Sequence, residues 1–466
     1  MSSEKCGADR ALATESVRSL LIRLAVPAIT AQLINALYNM VDRMYIGHIP
    51  KTGGAALTGV GVTFPVIMII SAFAALVSMG GAPRAAIKMG QKDDQGAEEI
   101  LGGCAAMLLA LSVLLSAGIF LYREPLLYLF GASENTIGYA MGYLNIYLCG
   151  TVFVLLTLGL NPFITTQGFA KTSMQTIIIG AGLNIILDPV FIFPLGMGVR
   201  GAALATVISQ AVSAFWVIRF LCGEKSGLRI RKKNVALRRR IVLPTMGLGV
   251  APFIMLFTES VIILCFNSSL LRFGGDKAVG TMTVLSSVMQ FAMLPLSGLT
   301  QGAQPIISYN YGAKNLLRVK EAFQLLLKCC LIYSTGLWLL CMVFPQAFAN
   351  VFTSDGQLIE MTTWALRVYM GTSFMFGAQI ACQQTFIALG NAKVSTFLAL
   401  LRKAILLIPL IFLLPLFLED RVFAVFLAEP ITDFIAVVVT VTMFTRSFRS
   451  LLHREGASDL QGKKQA

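Results

Sequence analysis

Five acidic residues interrupt long apolar runs where a charge is expensive to keep: Asp42, Asp188, Glu259, Glu429 and Asp433. A carboxylate at the centre of a bilayer costs about 2.5 kcal/mol or more even on lenient insertion scales, so each needs a partner, a proton or a task. Asn184 and Asp188, in GLNIILDPVFIF, are four residues apart and share one helical face. Pro189 then removes a backbone donor and leaves a carbonyl free beside them. Asp42 falls near the end of the first apolar run and Asp188 near the end of the fifth, on the same side of a membrane, so both can line one cavity. Two close carboxylates in low dielectric cannot both stay ionised without a cation, and such a pair takes up a proton or an alkali ion. The plainer alternatives are an interfacial pair between Asp42 and the adjacent Arg43, and a simple helix-end carboxylate at Asp188. Glu429 and Asp433, four apart in AEPITDF, offer a second acidic face, although Asp433 beside Thr432 equally suits helix packing.

The elements that position these residues follow from composition. The 466 residues are 56% hydrophobic and only 13% charged, with a mean hydropathy of +0.76, whereas soluble domains are roughly a quarter charged. Water-soluble enzymes and disordered chains are thereby excluded. Runs of about 20 apolar residues suit helices crossing a bilayer, and twelve can be drawn, near residues 19–46, 55–79, 97–121, 136–167, 173–193, 201–222, 241–271, 278–300, 319–344, 361–389, 394–418 and 422–445. The net charge of +14 reads as topology rather than nucleic-acid binding. With the amino terminus inside, Arg84, Lys88, Lys92, Lys171, the stretch 219–240, Lys314, Arg318, Lys320, Lys393, Arg402 and Lys403 all lie on the inner side. The other side holds only Arg43, Lys51, Arg123, Arg200, Arg272, Lys277, Arg367 and Arg421. The positive-inside rule then places both termini on the cytoplasmic side of the cell membrane. Residues 1–17 lack the pattern of a cleavable signal peptide, so the first span is expected to direct insertion.

The basic string RIRKKNVALRRR, residues 229–240, separates six spans from six. It is expected to be a cytoplasmic connector attracted to anionic headgroups. The expected organisation is a tail at 1–17, a six-helix lobe at 18–224, a connector at 225–240, a second six-helix lobe at 241–447 and a tail at 448–466. The halves repeat. Gly80, Pro83, Gly90 and Lys92 match Gly302, Pro305, Gly312 and Lys314 at one shift of 222 residues, and the same shift takes Gly168 and Lys171 to Gly390 and Lys393. Six spans per repeat keep both copies in the same orientation, an architecture of transporters whose halves rock about a site near mid-membrane.

These residues resemble the multidrug and toxic compound extrusion (MATE) transporters, the MepA-like branch in particular, over nearly the whole chain. The strings LAVPAITAQLINALYNMVDRMYIG, GLNIILDPVFIF and VRGAALATVISQ carry the resemblance. It implies an all-helical membrane fold of twelve helices in two pseudo-symmetric lobes, with a monovalent cation or proton held in the amino lobe by Asp42, Asn184, Asp188 and Thr206. Tyr38, Tyr143 and Asn161 would extend that polar network, and Pro27 would be the bending proline of the first span. Amide and hydroxyl oxygens suit an alkali ion while protonation needs no such shell, so H⁺ and Na⁺ coupling both remain open. Glu259 matches an acid of the NorM-like branch, but the tenth span offers Gln379, Gln383 and Gln384 where that branch has Asp. Glu259, Gln379, Gln383, Glu429 and Asp433 are therefore the carboxyl-lobe candidates for substrate or proton.

The expected function is secondary antiport, exporting amphipathic organic cations as H⁺ or Na⁺ enters. Met255, Met289, Met293, Met370 and Met375, with Phe257, Phe291 and Phe374, would give a central cleft the adaptable, polarizable walls that varied lipophilic cations need. The absence of GxxxxGK[ST] gives ATP no evident site, and His48 and His453 lie outside the spans, so neither enzymatic activity nor a cofactor is expected. The nine cysteines contain no C-x-x-C pair and read as buried free thiols. The chain is expected to act as a monomer among membrane lipids. Competing readings are an exporter of one cellular metabolite, a lipid-linked glycan flippase, which intramembrane acids argue against, and a receptor that does not transport.

Overall fold

The computed structural model describes residues 11–50, 52–352 and 355–465; Cys6, Lys51 and the side chain of His453 lie outside the described residues. Helix is the only regular structure among them. Eight of the twelve spans are single long apolar helices: Val17–Gly47, Gly53–Gly90, Asp94–Leu129, Ala170–Ile192, Val199–Cys222, Leu316–Val343, Ala392–Phe417 and the apolar part of Arg421–Gln465. The uninterrupted run at 136–167 breaks instead at Gly150, where Ile137–Cys149 and Thr151–Thr166 meet at 59°. The tenth span breaks likewise between Gly356–Tyr369 and Phe376–Ala388. Arg239–Gly312 is 74 residues long, about 110 Å of helix, far more than a bilayer holds. It is two spans joined at Gly275, whose φ of 64° only glycine adopts without strain. The spans are numbered 1 to 12 in chain order below. The termini and connector share one face, here the terminal face.

Duplication is written in the backbone. Lys92 and Lys314, 222 residues apart, both take positive φ, 60° and 58°, and Gly168 and Gly390 repeat this at 88° and 75°. At the same shift, Asp93 caps span 3 through Gly96 N and Asn315 caps span 9 through Arg318 N. The break at Gly150 recurs around Thr372.

Large apolar side chains such as Leu121, Phe215, Leu129 and Phe417 are exposed on the outer surface, which suits a hydrocarbon solvent. Between the lobes, small residues let backbones touch in the halves of spans 1, 2, 7 and 8 nearest the terminal face. A Cβ at Gly298 or Gly302 of span 8 would run into Ile29 or Ala25 of span 1, while Gly80 and Gly90 of span 2 abut Thr245 and Tyr309. The lobes are thus sealed toward the terminal face.

Each lobe is also strapped beneath by the segment preceding a span of the other. Leu12 is fully buried under the carboxyl lobe. Arg318 donates to the carbonyls of Leu12 and Glu15, and Asn310 to that of Leu12. The expected tail at 1–17 is, over its described part, a docked strap. The connector does the same for the amino lobe: Arg231 pairs with Glu98, and Arg238 and Arg240 with Glu99. Gln167 Oε1 accepts from Ser226 Oγ at 3.0 Å and Leu228 N at 2.8 Å. Part of the basic connector's charge is therefore met by protein carboxylates rather than left for headgroups.

Candidate functional site

The amino-lobe cluster lies where spans 1, 5 and 6 converge toward the face opposite the termini. Span 5 is helical through Asn184 and Asp188, so both side chains point inward from one face, and both are buried, Asp188 completely. Asn184 Nδ2 donates to Asp188 Oδ1 at 3.1 Å and reaches Thr206 Oγ1 of span 6 at 3.4 Å. The Asp42 carboxyl group of span 1 meets that of Asp188. Tyr143 contacts Thr206, and Tyr38 lies beside Asp42. Three oxygens at the centre, Asp42 Oδ1, Asp188 Oδ2 and Asn184 Oδ1, are buried without a protein donor. No ion pair among the described residues joins Asp42 to Arg43, whose guanidinium lies 4.9 Å over the Phe64 ring instead. Acceptors gathered without a donor suit a proton or a hard cation.

Two expected members stand apart. Asn161 donates to Ser173 O at 3.3 Å, eleven residues before Asn184 on span 5 and roughly 16 Å along its axis, so it does not join the cluster. Pro27 is buried in an unbroken span 1, between Ala25 and Ile29, the two residues that glycines of span 8 approach. It is fifteen residues from Asp42, about 22 Å, so it does not touch the acids, and the face of span 1 that meets span 8 is the one carrying Ala25 and Ile29.

The carboxyl lobe holds a second cluster on spans 7, 11 and 12, the repeats of 1, 5 and 6, and this one supplies its own cations. Arg402 Nε donates to Asp433 Oδ1 at 2.8 Å and Nη2 to Glu429 Oε1 at 3.4 Å. Its guanidinium also lies 4.5 Å over the Phe376 ring. Lys403 Nζ donates to Glu259 Oε2 at 2.9 Å. Both basic side chains are almost fully buried, while Glu259 is 53% exposed. Consecutive helical residues point about 100° apart, so Arg402 faces span 12 and Lys403 span 7, within a π-helical stretch at residues 401–407.

The MatE family model matches residues 27–190 and 252–413, two copies whose starts are 225 residues apart, in agreement with the structural repeat. The chain belongs to the MATE family. Its members are transporters, not enzymes, and this one is a multi-pass membrane protein. It is 24% identical to "Multidrug export protein MepA" of Staphylococcus haemolyticus (strain JCSC1435), over 92% of this chain and 95% of that protein. It is 25% identical to the MepA protein of Staphylococcus aureus (strain N315), over 91% and 94%. Among solved structures, a MATE transporter in the bent conformation superposes with a TM-score of 0.90 at 22% identity, covering 96% of this chain and 99% of that one. The twelve-helix, two-lobe fold expected from the sequence is the MATE fold.

Arg402 and Lys403 are the residues that sequence reasoning misplaced. Counted with Lys393 as inner-loop cations, they are ten and eleven residues into span 11, about 15 Å from its start. A strict 20-residue frame beginning after Lys393 would have put them at mid-span. Their presence corrects two expectations. Asp433 bonds Arg402 rather than serving a packing contact with Thr432, and the intramembrane charge is not purely acidic, so that argument against a flippase falls. Of the carboxyl-lobe amides, Gln383 Nε2 reaches Met255 Sδ at 3.3 Å, and Gln379 is buried with its Oε1 unpartnered. Phe257, Phe291 and Phe374 are exposed, whereas Met370 is buried in the carboxyl-lobe core and does not line a cleft.

Proposed function

We propose that this MATE transporter is a secondary antiporter that exports amphipathic organic cations, multidrug efflux in type, in exchange for H⁺ or Na⁺ across a bacterial plasma membrane. Both termini are read as cytoplasmic, which makes the sealed face the cytoplasmic one. The observation that carries the reading is the amino-lobe cluster: two touching carboxyl groups with Asn184 and Thr206 and three buried oxygens that lack a donor. A proton or Na⁺ there relieves the repulsion and ties spans 1, 5 and 6 together. Its loss frees them, and span 1 carries the change to Ile29 and Ala25 at the lobe interface, with Pro27 between them in the chain. The two multidrug export proteins of comparable length support the substrate class. The exposed aromatic rings of Phe257 and Phe291 support it too, since they can hold a lipophilic cation by its face.

Efflux of ethidium from cells lacking their own pumps tests this, with the natural sequence set against Asp188→Asn at equal expression. Efflux by the first alone is the expected result. Equal efflux by both removes the amino-lobe cluster from the mechanism, and none by either favours a narrow-substrate exporter.

A further inference from the structure

The two lobes solve one electrostatic problem in opposite ways. Each cluster is built on three spans related by the repeat, but the acids are placed differently: on spans 1 and 5 in the amino lobe, with Thr206 from span 6, and on spans 7 and 12 in the carboxyl lobe, with Arg402 and Lys403 from span 11. In the amino lobe no basic side chain bonds the carboxyl groups among the described residues, and their free oxygens await a cation. In the carboxyl lobe every carboxylate of the cluster has one: Asp433 and Glu429 share Arg402, and Glu259 holds Lys403. None of these five side chains has a buried polar atom left without a partner. Both cations are attached to span 11, from which Arg402 reaches span 12 and Lys403 reaches span 7.

We propose that Arg402 and Lys403 are tethered counter-ions, balancing the carboxyl-lobe acids as an exchangeable H⁺ or Na⁺ balances those of the amino lobe. This rests on the antiport reading above and deepens it. A mobile cation lets spans 1, 5 and 6 be tied and released in each cycle; a cation covalently fixed to span 11 cannot leave, so spans 7, 11 and 12 stay tied and the carboxyl lobe moves as one body. Ion coupling then belongs to the amino lobe alone. Lys403 and Arg402 act as positioning residues, through the carboxylates they hold.

Removing a tethered cation should create a site for a free one. Lys403→Ala deletes three carbons and the ammonium group, the size of n-propylammonium, and the exposed face of Glu259 gives such an ion access. In the purified full chain, millimolar n-propylammonium is expected to raise the melting temperature of Lys403→Ala by several degrees. It should leave the natural sequence and Lys403→Ala/Glu259→Gln unmoved, and n-propanol should do nothing. In liposomes, Lys403→Ala is expected to lose roughly tenfold in turnover and regain it with n-propylammonium, while Lys403→Arg keeps most of it. If Lys403→Ala does not fold, Lys403→Met keeps the chain length without the charge. Its melting temperature should fall, and Lys403→Met/Glu259→Gln should restore it. A Lys403→Ala protein that responds to n-propylammonium no more than the natural one, or a double variant no better than Lys403→Met, overturns the proposal. The thermal shift needs no transport, so it fails separately from the antiport reading, which fails when Asp188→Asn pumps normally.

Discussion

Gly302→Ala is the sharpest perturbation of the seal between the lobes. A methyl group there would lie 2.6 Å from Ala25 Cα, against the 3.5–4.0 Å at which carbon atoms rest. Spans 8 and 1 must therefore separate locally by about 1 Å, and because the obstacle is backbone no rotamer change relieves it. Overpacking of this size costs about 1–3 kcal/mol, here borne only by the conformation in which the terminal face is shut. The shut-to-open ratio should fall roughly 5- to 140-fold. Spin labels on Gln91→Cys and Ala313→Cys, the exposed residues that end spans 2 and 8, report this by pulsed electron resonance. Gly302→Ala should move population to the longer distance and slow turnover. Gly336→Ala on span 9, whose added methyl meets nothing within 4 Å, is the control and should change neither. An unchanged distance distribution and turnover in Gly302→Ala would refute the reasoning that these glycines hold the seal.

Pro27→Ala should leave drug binding measurable while uncoupling it from ion flux, because Pro27 interrupts the backbone hydrogen bonding of span 1 beside the interface residues Ala25 and Ile29 and far from the acids; drug-stimulated ion uptake in liposomes equal to that of the natural protein would count against this. Gln167→Ala strips the acceptor from Ser226 Oγ and Leu228 N, a loss of about 1–3 kcal/mol, so the connector should be cut faster by trypsin, and unchanged cleavage would show it is held elsewhere. Asp93 is held below the usual carboxylate range by its hydrogen bond from Lys88, and then by that from Gly96 N. A carboxyl group depressed in the folded state stabilises above its unfolded value and loses that contribution as pH falls through the folded one. Asp93→Asn should therefore flatten the acid limb of the melting curve, whereas Asn315→Ala, lacking a titrating cap, should lower stability equally at every pH.

Span count, repeat and the shared face of Asn184 and Asp188 were legible because each leaves a local mark, whereas Thr206, Tyr38 and Tyr143 came only with the family resemblance. Length and apolarity fix the spans, a constant shift of 222 fixes the repeat, and the four-residue step from Asn184 to Asp188 fixes a shared face. The breaks in spans 4 and 10 left only a faint mark, a Gly-Thr step at Gly150-Thr151 and Gly371-Thr372 inside otherwise apolar runs, and glycine alone does not say that a helix bends there. Asn161 was misjudged for a related reason. Its span is right, but depth along a bent helix is set by that bend, which sequence does not display. Arg402 and Lys403 were lost to a rule that is sound on average: basic residues near a span edge usually mark the inner loop, and only the acids on spans 7 and 12 make mid-membrane cations tolerable.

Those acids also explain why a duplicated protein carries two different clusters. A buried ion pair contributes little net stability over apolar packing, yet breaking it by removing one partner costs about 3–5 kcal/mol. Its effect is therefore to hold the spans in one arrangement rather than to strengthen the lobe at large. An unpaired acid cluster does the reverse: its carboxyl groups repel until a cation arrives, so the spans that carry them have two arrangements separated by one binding event. Rocking of two lobes needs a switch in one and a rigid frame in the other, because two independent switches could open both faces together and short-circuit the gradient. On the antiport proposed above, the free oxygens of Asp42, Asn184 and Asp188 would serve as the switch, and the satisfied carboxylates around Arg402 and Lys403 as the frame.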